Sequence, residues 1–209
     1  MSERAARGMT IPEFLAWQAG QRDRYELVDG RPVAMTGARL RHDRVTVNAL
    51  SEIRRQLRAN GNPCDVFTAD IGILTVPGHL RRPDVSVLCP PFDENALTSH
   101  RPRLVVEVLS DSTAQIDRLV KLGEYQTLET LDYIVFADPS CVDVGFWYRD
   151  EDRAWRNRVF QEQAATIEMP NLGLSVSLAS LYERVSLARR PRPRLVWDEG
   201  GDGALPGDA

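Results

Sequence analysis

The spacing of apolar residues along the chain switches between a helical period and a strand period, and this switching predicts the order of elements. Capping signals and helical spacing together predict helices over residues 11–19, 40–60, 112–128 and, as a last short piece, 178–183. Two short apolar runs within 25–35 flank Asp29-Gly30, a dipeptide that tight hairpin turns prefer. The chain is therefore predicted to begin with a helix, a hairpin and a long amphipathic helix.

Strand-like apolar runs occupy two further stretches of the chain. Four of them, which we expect to form the central sheet, lie at 65–68, 71–76, 84–88 and 104–109. Four more follow the third helix, at 133–137, 142–148, 154–160 and 166–169. The pattern predicts an α/β fold with a central mixed β-sheet flanked by helices and an N-terminal hairpin.

Composition favours one globular domain with unstructured ends. The 209 residues are 43% hydrophobic, which is enough for a substantial core. The domain is predicted to cover residues 10–185, after a flexible N-terminus at 1–9. The remainder, 186–209, is rich in Arg, Pro, Gly and Asp, cannot bury a core, and is predicted to be disordered.

Charge and cysteine content narrow the classes of partner. The net charge of −4 gives no overall basic field, so any contact with nucleic acid must be local. No apolar run approaches the roughly 20 residues of a membrane span, and no signal core precedes the domain, so we expect a cytoplasmic protein with no membrane contact. Cys64, Cys89 and Cys141 are odd in number and lack C-x-x-C spacing, which argues against a disulfide framework and a zinc site.

Two carboxylates interrupt apolar runs that are otherwise typical of buried strands. Asp84 follows Pro83 at the start of one run, and Glu107 lies in the middle of another. Buried carboxylates are costly unless they are paired, hydrogen-bonded or bound to metal. If the two strands are neighbours, these side chains can converge and offer the hard oxygen ligands that Mg²⁺ takes. Lys121, the only lysine of the chain, follows on the next predicted helix.

These residues resemble the PD-(D/E)xK nuclease superfamily, in which a lysine normally follows the second acid by two residues. Here that position is Leu109. The chain is more closely similar to a bacterial restriction endonuclease family in which the lysine has moved to the helix after the second acidic strand. The similarity covers about residues 11–183 and rests on Y-E-L-V-D-G-R-P-V, the R-H start of the second helix, R-P-D-V-S-V, L-V-V-E-V-L-S-D-S-T, D-R-L-V-K-L-G-E-Y and L-D-Y-I-V-F-A-D.

The resemblance implies a restriction-endonuclease-like core, cleavage of nucleic acid with Mg²⁺, for which Mn²⁺ can substitute, and a homodimer. Asp84 and Glu107 would then hold the metal, and Lys121 would assist at the scissile phosphate. Glu26 and Asp70 are candidates for a further carboxylate or a water contact, although each could equally be a turn or edge acid. The remaining supporting candidates are His42, which the helical spacing turns inward, and Asp117 and Tyr125, which share a helix face with Lys121.

Other interpretations of the same residues stay open at this point. Asp84 could cap a turn or pair with Arg81 or Arg82, Lys121 could be an ordinary solvated lysine, and Tyr125 could simply pack its ring. The main hypothesis is a Mg²⁺-dependent endonuclease that hydrolyses phosphodiester bonds, with DNA as substrate. The alternative is a nuclease-like fold that binds nucleic acid or protein without turnover. An acid/base hydrolase acting on a small molecule has no supporting motif.

Overall fold

The computed structural model describes residues 8–35, 37–110 and 115–188, without the side chains of 115–117. The predicted flexible N-terminus and disordered tail fall largely outside these residues. So do the predicted start of the third helix at 112 and the side chain of Asp117. Everything that follows concerns the described part of the chain.

The described residues form four α-helices and thirteen strands. The helices are α1 (Ile11–Gln18), α2 (Leu40–Ala59), α3 (Gln115–Gln126) and α4 (Leu178–Leu181), with a 3-10 turn at Pro170–Leu172. The strands are β1 (Tyr25–Val28), β2 (Arg31–Ala34), β3 (Asp65–Thr68), β4 (Gly72–Leu74), β5 (Leu80–Arg81), β6 (Val85–Leu88), β7 (Thr98–Ser99), β8 (Pro102–Val108), β9 (Tyr133–Ala137), β10 (Val144–Arg149), β11 (Trp155–Phe160), β12 (Thr166–Met169) and β13 (Leu174–Ser177). None of the helices in these ranges is long and apolar enough to cross a membrane.

The largest sheet has six strands in the order β11-β10-β9-β8-β6-β3. It is mixed, because β8 and β9 run parallel whereas β6 and β8 run antiparallel. One face packs against α2, α4 and the β12–β13 hairpin, and the other against α3. The predicted α/β architecture, with a central mixed sheet flanked by helices, is confirmed.

A second sheet of five strands, in the order β2-β1-β5-β4-β7, joins the N-terminal hairpin to the middle of the chain. The prediction that residues 71–76 belong to the central sheet was wrong. The Pro77-Gly78 turn folds β4 back onto β5, with Ile73 opposite Arg81, so β4 pairs locally and leaves the central sheet. Phe14 of α1 closes this smaller layer by packing on Leu27 and Leu80.

The cysteines also correct a prediction, because Cys64 and Cys89 form a disulfide. Strands β3 and β6 are antiparallel neighbours whose last register pair joins Asp65 to Leu88. The next position along both strands brings the two cysteines together. Spacing along the chain, on which the expectation rested, does not reveal a pair that forms across a sheet.

Replacing Ile53 by alanine should lower the free energy of unfolding by about 2–5 kcal/mol, because it leaves a cavity between α2 and the large sheet. Ile53 is 2% exposed, whereas Val47, on the same helix, is 52% exposed. The matched control Val47→Ala should change stability by less than about 0.5 kcal/mol. Urea unfolding of both variants tests this, and equal losses would contradict the assigned buried face of α2.

Candidate active site

Asp84 and Glu107 lie side by side where β6 begins and β8 ends. The two strands are antiparallel with Val85 opposite Val106, so the next position along this register sets Asp84 beside Glu107. Asp84 Oδ2 accepts a hydrogen bond of 2.7 Å from the backbone N–H of Val108, which ties the first carboxylate to the strand of the second. The expected convergence of the two acids is therefore present.

Helix α3 brings Lys121 and Tyr125 onto Glu107. Lys121 Nζ lies 3.2 Å from Glu107 Oε1 and 3.4 Å from Oε2. One turn later on the same face, Tyr125 donates its hydroxyl to Glu107 Oε1 at 2.6 Å. Because the tyrosine is fully buried, its hydroxyl is a fixed donor, and it holds the carboxylate in one orientation. A lysine on the helix thus reaches the second acid although residue 109 is leucine.

Glu26 of β1 is the second carboxylate partner of Lys121. Lys121 Nζ lies 3.1 Å from Glu26 Oε1, which also accepts the backbone N–H of Arg82 at 2.9 Å. The other oxygen, Oε2, accepts from Arg81 at 3.0 Å. The ammonium therefore bridges an acid of the second sheet and an acid of the large sheet.

His42 and Asp70, the other supporting candidates, lie in different surroundings. His42 Nε2 is 3.5 Å from Asp84 Oδ2, so the start of α2 contributes an inward-facing imidazole beside the first acid. The Asp70 side chain is 66% exposed and pairs with Arg24. Its other side-chain partner among the described residues is Thr68. The structure brings His42 to the site and leaves Asp70 at the surface.

Arg81 and Glu124 adjoin the site and were not among the sequence candidates. Arg81, 1% exposed, binds Glu26 and donates to both oxygens of Glu124, at 2.8 and 2.6 Å. A buried arginine requires carboxylates nearby. The only hint in the sequence was the position of Arg81 just before the Pro-Asp motif, which is equally typical of an exposed strand end.

The acids of the site differ in the direction in which their pKa values are shifted. Burial raises the pKa of Asp84 to about 6, against the hydrogen bond from Val108 and the charge of Lys121. Burial likewise raises the pKa of Glu107 to about 7, and the charges of Asp84 and Glu26 add to the effect of burial. Burial acts on Glu26 in the same direction, but Lys121, Arg81 and the Arg82 N–H outweigh it, so the pKa of Glu26 is lowered.

A hydrated divalent cation fits the chemistry of these donors. Mg²⁺ accepts one or two carboxylates and keeps several waters, and Asp84 and Glu107 are two neighbouring acids whose pKa values burial raises despite the charge of Lys121. Within the described ranges, no group of three or more His, Cys, Asp or Glu side chains is arranged to hold a metal, so a closed zinc-type cage is not formed there.

Residues 11–179 match the sequence profile of the Uma2 family, whose description reads "Putative restriction endonuclease". The chain belongs to this family. The match spans α1 to α4 and so includes both sheets and every residue of the candidate site.

Two relatives of this chain come from Synechocystis sp. (strain ATCC 27184 / PCC 6803 / Kazusa). The "Uncharacterized protein slr1290" is 30% identical over 173 residues, which cover 81% of this chain and 89% of the relative. The "Uncharacterized protein sll1609" is 28% identical over 164 residues, which cover 77% and 92%. Since these names give neither an activity nor a family, the two similarities carry no argument about function.

A solved structure shares the fold. The crystal structure of "a putative nuclease belonging to DUF820" from Anabaena variabilis ATCC 29413 superposes with a TM-score of 0.68 at 20% identity. The similarity covers 83% of this chain and 97% of that one. Together with the family match, it shows that the Uma2 chain has a restriction-endonuclease-like fold.

In the metal-free wild-type protein, the free energy of unfolding should fall as the pH rises, because Glu107 must lose its proton in a buried site. Glu107→Gln should not show this fall. The pKa of Glu107 is raised in the folded state, so its stabilising contribution is fully present below the unfolded value of about 4.3 and is lost as the pH rises through the folded value of about 7. Between pH 5 and 8, the wild-type free energy of unfolding should fall by on the order of 3 kcal/mol more than that of Glu107→Gln.

Urea unfolding in EDTA at both pH values measures this difference. The control is Glu129→Gln, which removes an exposed carboxylate after α3 and should keep the wild-type pH dependence. Parallel curves for wild type and Glu107→Gln would show that Glu107 does not hold its proton more tightly in the folded state.

Proposed function

We propose that this Uma2 protein is a Mg²⁺-dependent endonuclease that hydrolyses phosphodiester bonds in DNA. The observation that carries the proposal is the contact between Lys121 and Glu107, beside Asp84. It brings together two acids and a lysine from a strand pair and the following helix, which is the set that the resemblance to PD-(D/E)xK nucleases implies. The family description and the shared fold support the same reaction class.

Asp84 and Glu107 would hold the metal. When bound there, Mg²⁺ would lower the pKa of a coordinated water and offset the charge that develops on phosphate oxygens. Glu107 retains acceptor capacity for this role, because each carboxylate oxygen has two lone pairs, and Lys121 and Tyr125 occupy only part of them. Tyr125 keeps the carboxylate from rotating, which preserves its orientation toward Asp84.

Lys121 would supply fixed positive charge at the scissile phosphate. Its side chain is 12% exposed, so the ammonium acts in surroundings where a charge is screened less than in bulk water. Glu26 and Glu107 hold this ammonium from two sides, and little reorganisation is then needed when substrate arrives. Because the chain carries a net charge of −4, binding of nucleic acid would rely on such local cations and the metal.

Substituting either Glu107 or Lys121 by alanine should reduce DNA cleavage by at least about 10²-fold, because each change removes fixed charge from the reaction centre. Cleavage is measured on plasmid and on single-stranded DNA, with Mg²⁺ and with Mn²⁺. The matched control is Asp70→Ala, which removes an exposed acid bound by Arg24 and should retain the wild-type rate.

The outcomes separate catalysis from binding without turnover. Cleavage that persists undiminished in Glu107→Ala and Lys121→Ala would not depend on these residues and would refute the proposed active site. A wild-type protein that binds DNA in a mobility-shift assay but leaves it uncut would establish the binding-module alternative. The homodimer implied by the family resemblance stays a prediction, and sedimentation of the same preparation tests it.

Metal affinity should fall as the pH is lowered from 8 to 6. Metal binds the ionised carboxylates, and the raised pKa values of Asp84 (about 6) and Glu107 (about 7) mean that protons compete in this range. We expect the Kd for Mn²⁺, measured by calorimetry or by electron paramagnetic resonance, to rise on the order of 10-fold. Asp84→Asn should bind weakly at both pH values. An unchanged wild-type Kd would exclude these two acids as the ligands.

A further inference from the structure

A chain of buried ion pairs extends from Lys121 away from the reaction centre. Glu26 links Lys121 to Arg81, and Arg81 donates through Nε and a terminal nitrogen to the two oxygens of Glu124. Glu124 also accepts from Thr75 Oγ1 at 2.8 Å and lies 3.0 Å from His79 Nδ1. In this series of ion pairs, positive and negative side chains alternate from helix α3, through the second sheet, and back to α3.

Strand register places Arg81 at the centre of this chain. Leu27 of β1 lies opposite Leu80 of β5, so the next pair along the two strands is Glu26 and Arg81. Both are buried, with Glu26 6% and Arg81 1% exposed. Each charge would be costly to bury alone, so the two side chains pair. Through this pair, Arg81 orients the Glu26 carboxylate, which in turn binds Lys121.

Glu124, the last acid in this series of ion pairs, lies on the same helix as Lys121. It follows Lys121 by three residues and precedes Tyr125, so all three are set by the position and rotation of one helix. Lys121 and Tyr125 contact Glu107 of the large sheet, whereas Glu124 contacts Arg81 of the second sheet. The bidentate pair has a defined planar geometry that a single contact lacks, and it fixes α3 between the two sheets.

We propose that Arg81 and Glu124 are positioning residues that hold the Lys121 ammonium between Glu26 and Glu107. Neither has to touch substrate. Arg81 acts through Glu26, and Glu124 acts through Arg81 and through the helix that it shares with Lys121. This role rests on the proposed function for its catalytic meaning, but the placement of the ammonium is measurable in a protein without activity.

The single lysine of the chain makes that placement directly observable. Protein labelled with [¹³C,¹⁵N]-lysine has one set of lysine side-chain resonances, which belongs to Lys121. In the wild type, the two Hε protons should be resolved and the Cε shift displaced from that of the urea-unfolded chain. In Glu124→Gln, we expect the Hε pair to merge and the Cε shift to move toward the unfolded value.

Two further variants make the experiment specific. Asp132→Asn removes another buried carboxylate, which is bound by Arg103 and Arg153. Asp132 precedes Phe136, the partner of Glu107 in the sheet, by four residues. This is roughly 13 Å along the strand, so Asp132 lies away from the site. Asp132→Asn should leave the Lys121 resonances unmoved. Thr75→Val, which removes a single hydrogen bond to Glu124, should move them less and in the same direction as Glu124→Gln, and it covers the case in which that variant does not fold.

The results distinguish this proposal from the endonuclease proposal. Unmoved Lys121 resonances in folded Glu124→Gln, or in Thr75→Val if only that variant folds, overturn the positioning role even if the wild type cleaves DNA. Equal movement in Asp132→Asn also overturns it, because general loosening would then be the cause. If the wild type is inactive but the resonances respond as expected, positioning holds and the endonuclease proposal fails. In an active protein, Glu124→Gln should lower kcat on the order of 10²-fold with KM unchanged.

Discussion

One ammonium group, bound by two buried carboxylates, connects the two main sheets of this protein. Lys121 bridges Glu26 of the second sheet and Glu107 of the large sheet. Glu26, Asp84 and Glu107 all lie near this lysine, and its positive charge acts to lower the pKa of each. The site therefore depends on α3 being placed where its side chains reach both sheets at once, and the ion pair of Arg81 with Glu124 adds a second tie from the same helix.

The segment from Arg81 to Asp84 connects the two sheets and places charged side chains in both. Arg81 ends β5 and faces Glu26, Arg82 binds backbone carbonyls of Tyr25, Ala69 and Asp70, and Asp84 leads into β6. Four consecutive residues thus join the second sheet to the large sheet, secure the loop before β4, and begin the pair of acids. The Pro-Asp motif is a structural junction as well as a source of one carboxylate.

The parts of the fold with a clear period could be predicted from sequence. Helix α2 has enough residues to show a repeat of 3.6, the N-terminal hairpin is marked by its Asp29-Gly30 turn, and β9 is a continuous apolar run. Strands β5 and β7 have two residues each, too few to show any period, so the second sheet and the true place of β4 were missed. The disulfide was missed for a related reason, since it depends on which strands are neighbours.

The candidate site divides in the same way between local and long-range information. Lys121 could be placed near Glu107 because the helix directly follows the strand of Glu107, so a short connection limits where it packs. Glu26 could be named only as a supporting acid, because its contact with Lys121 joins residues far apart in the chain. Arg81 and Glu124 could not be found, because a charged residue at a strand end or on a helix is usually solvated and only the tertiary contact reveals otherwise.

The opposite pKa shifts of the four acids distinguish structural carboxylates from those proposed to act. Burial raises the pKa of Glu124, as it does that of Glu26, but Arg81 and other partners outweigh it, and both values are lowered. For Asp84 and Glu107, burial prevails and both values are raised. Arg81 binds the first pair, Glu26 and Glu124. For the second pair, Asp84 and Glu107, a bound cation would favour the ionised form that burial opposes.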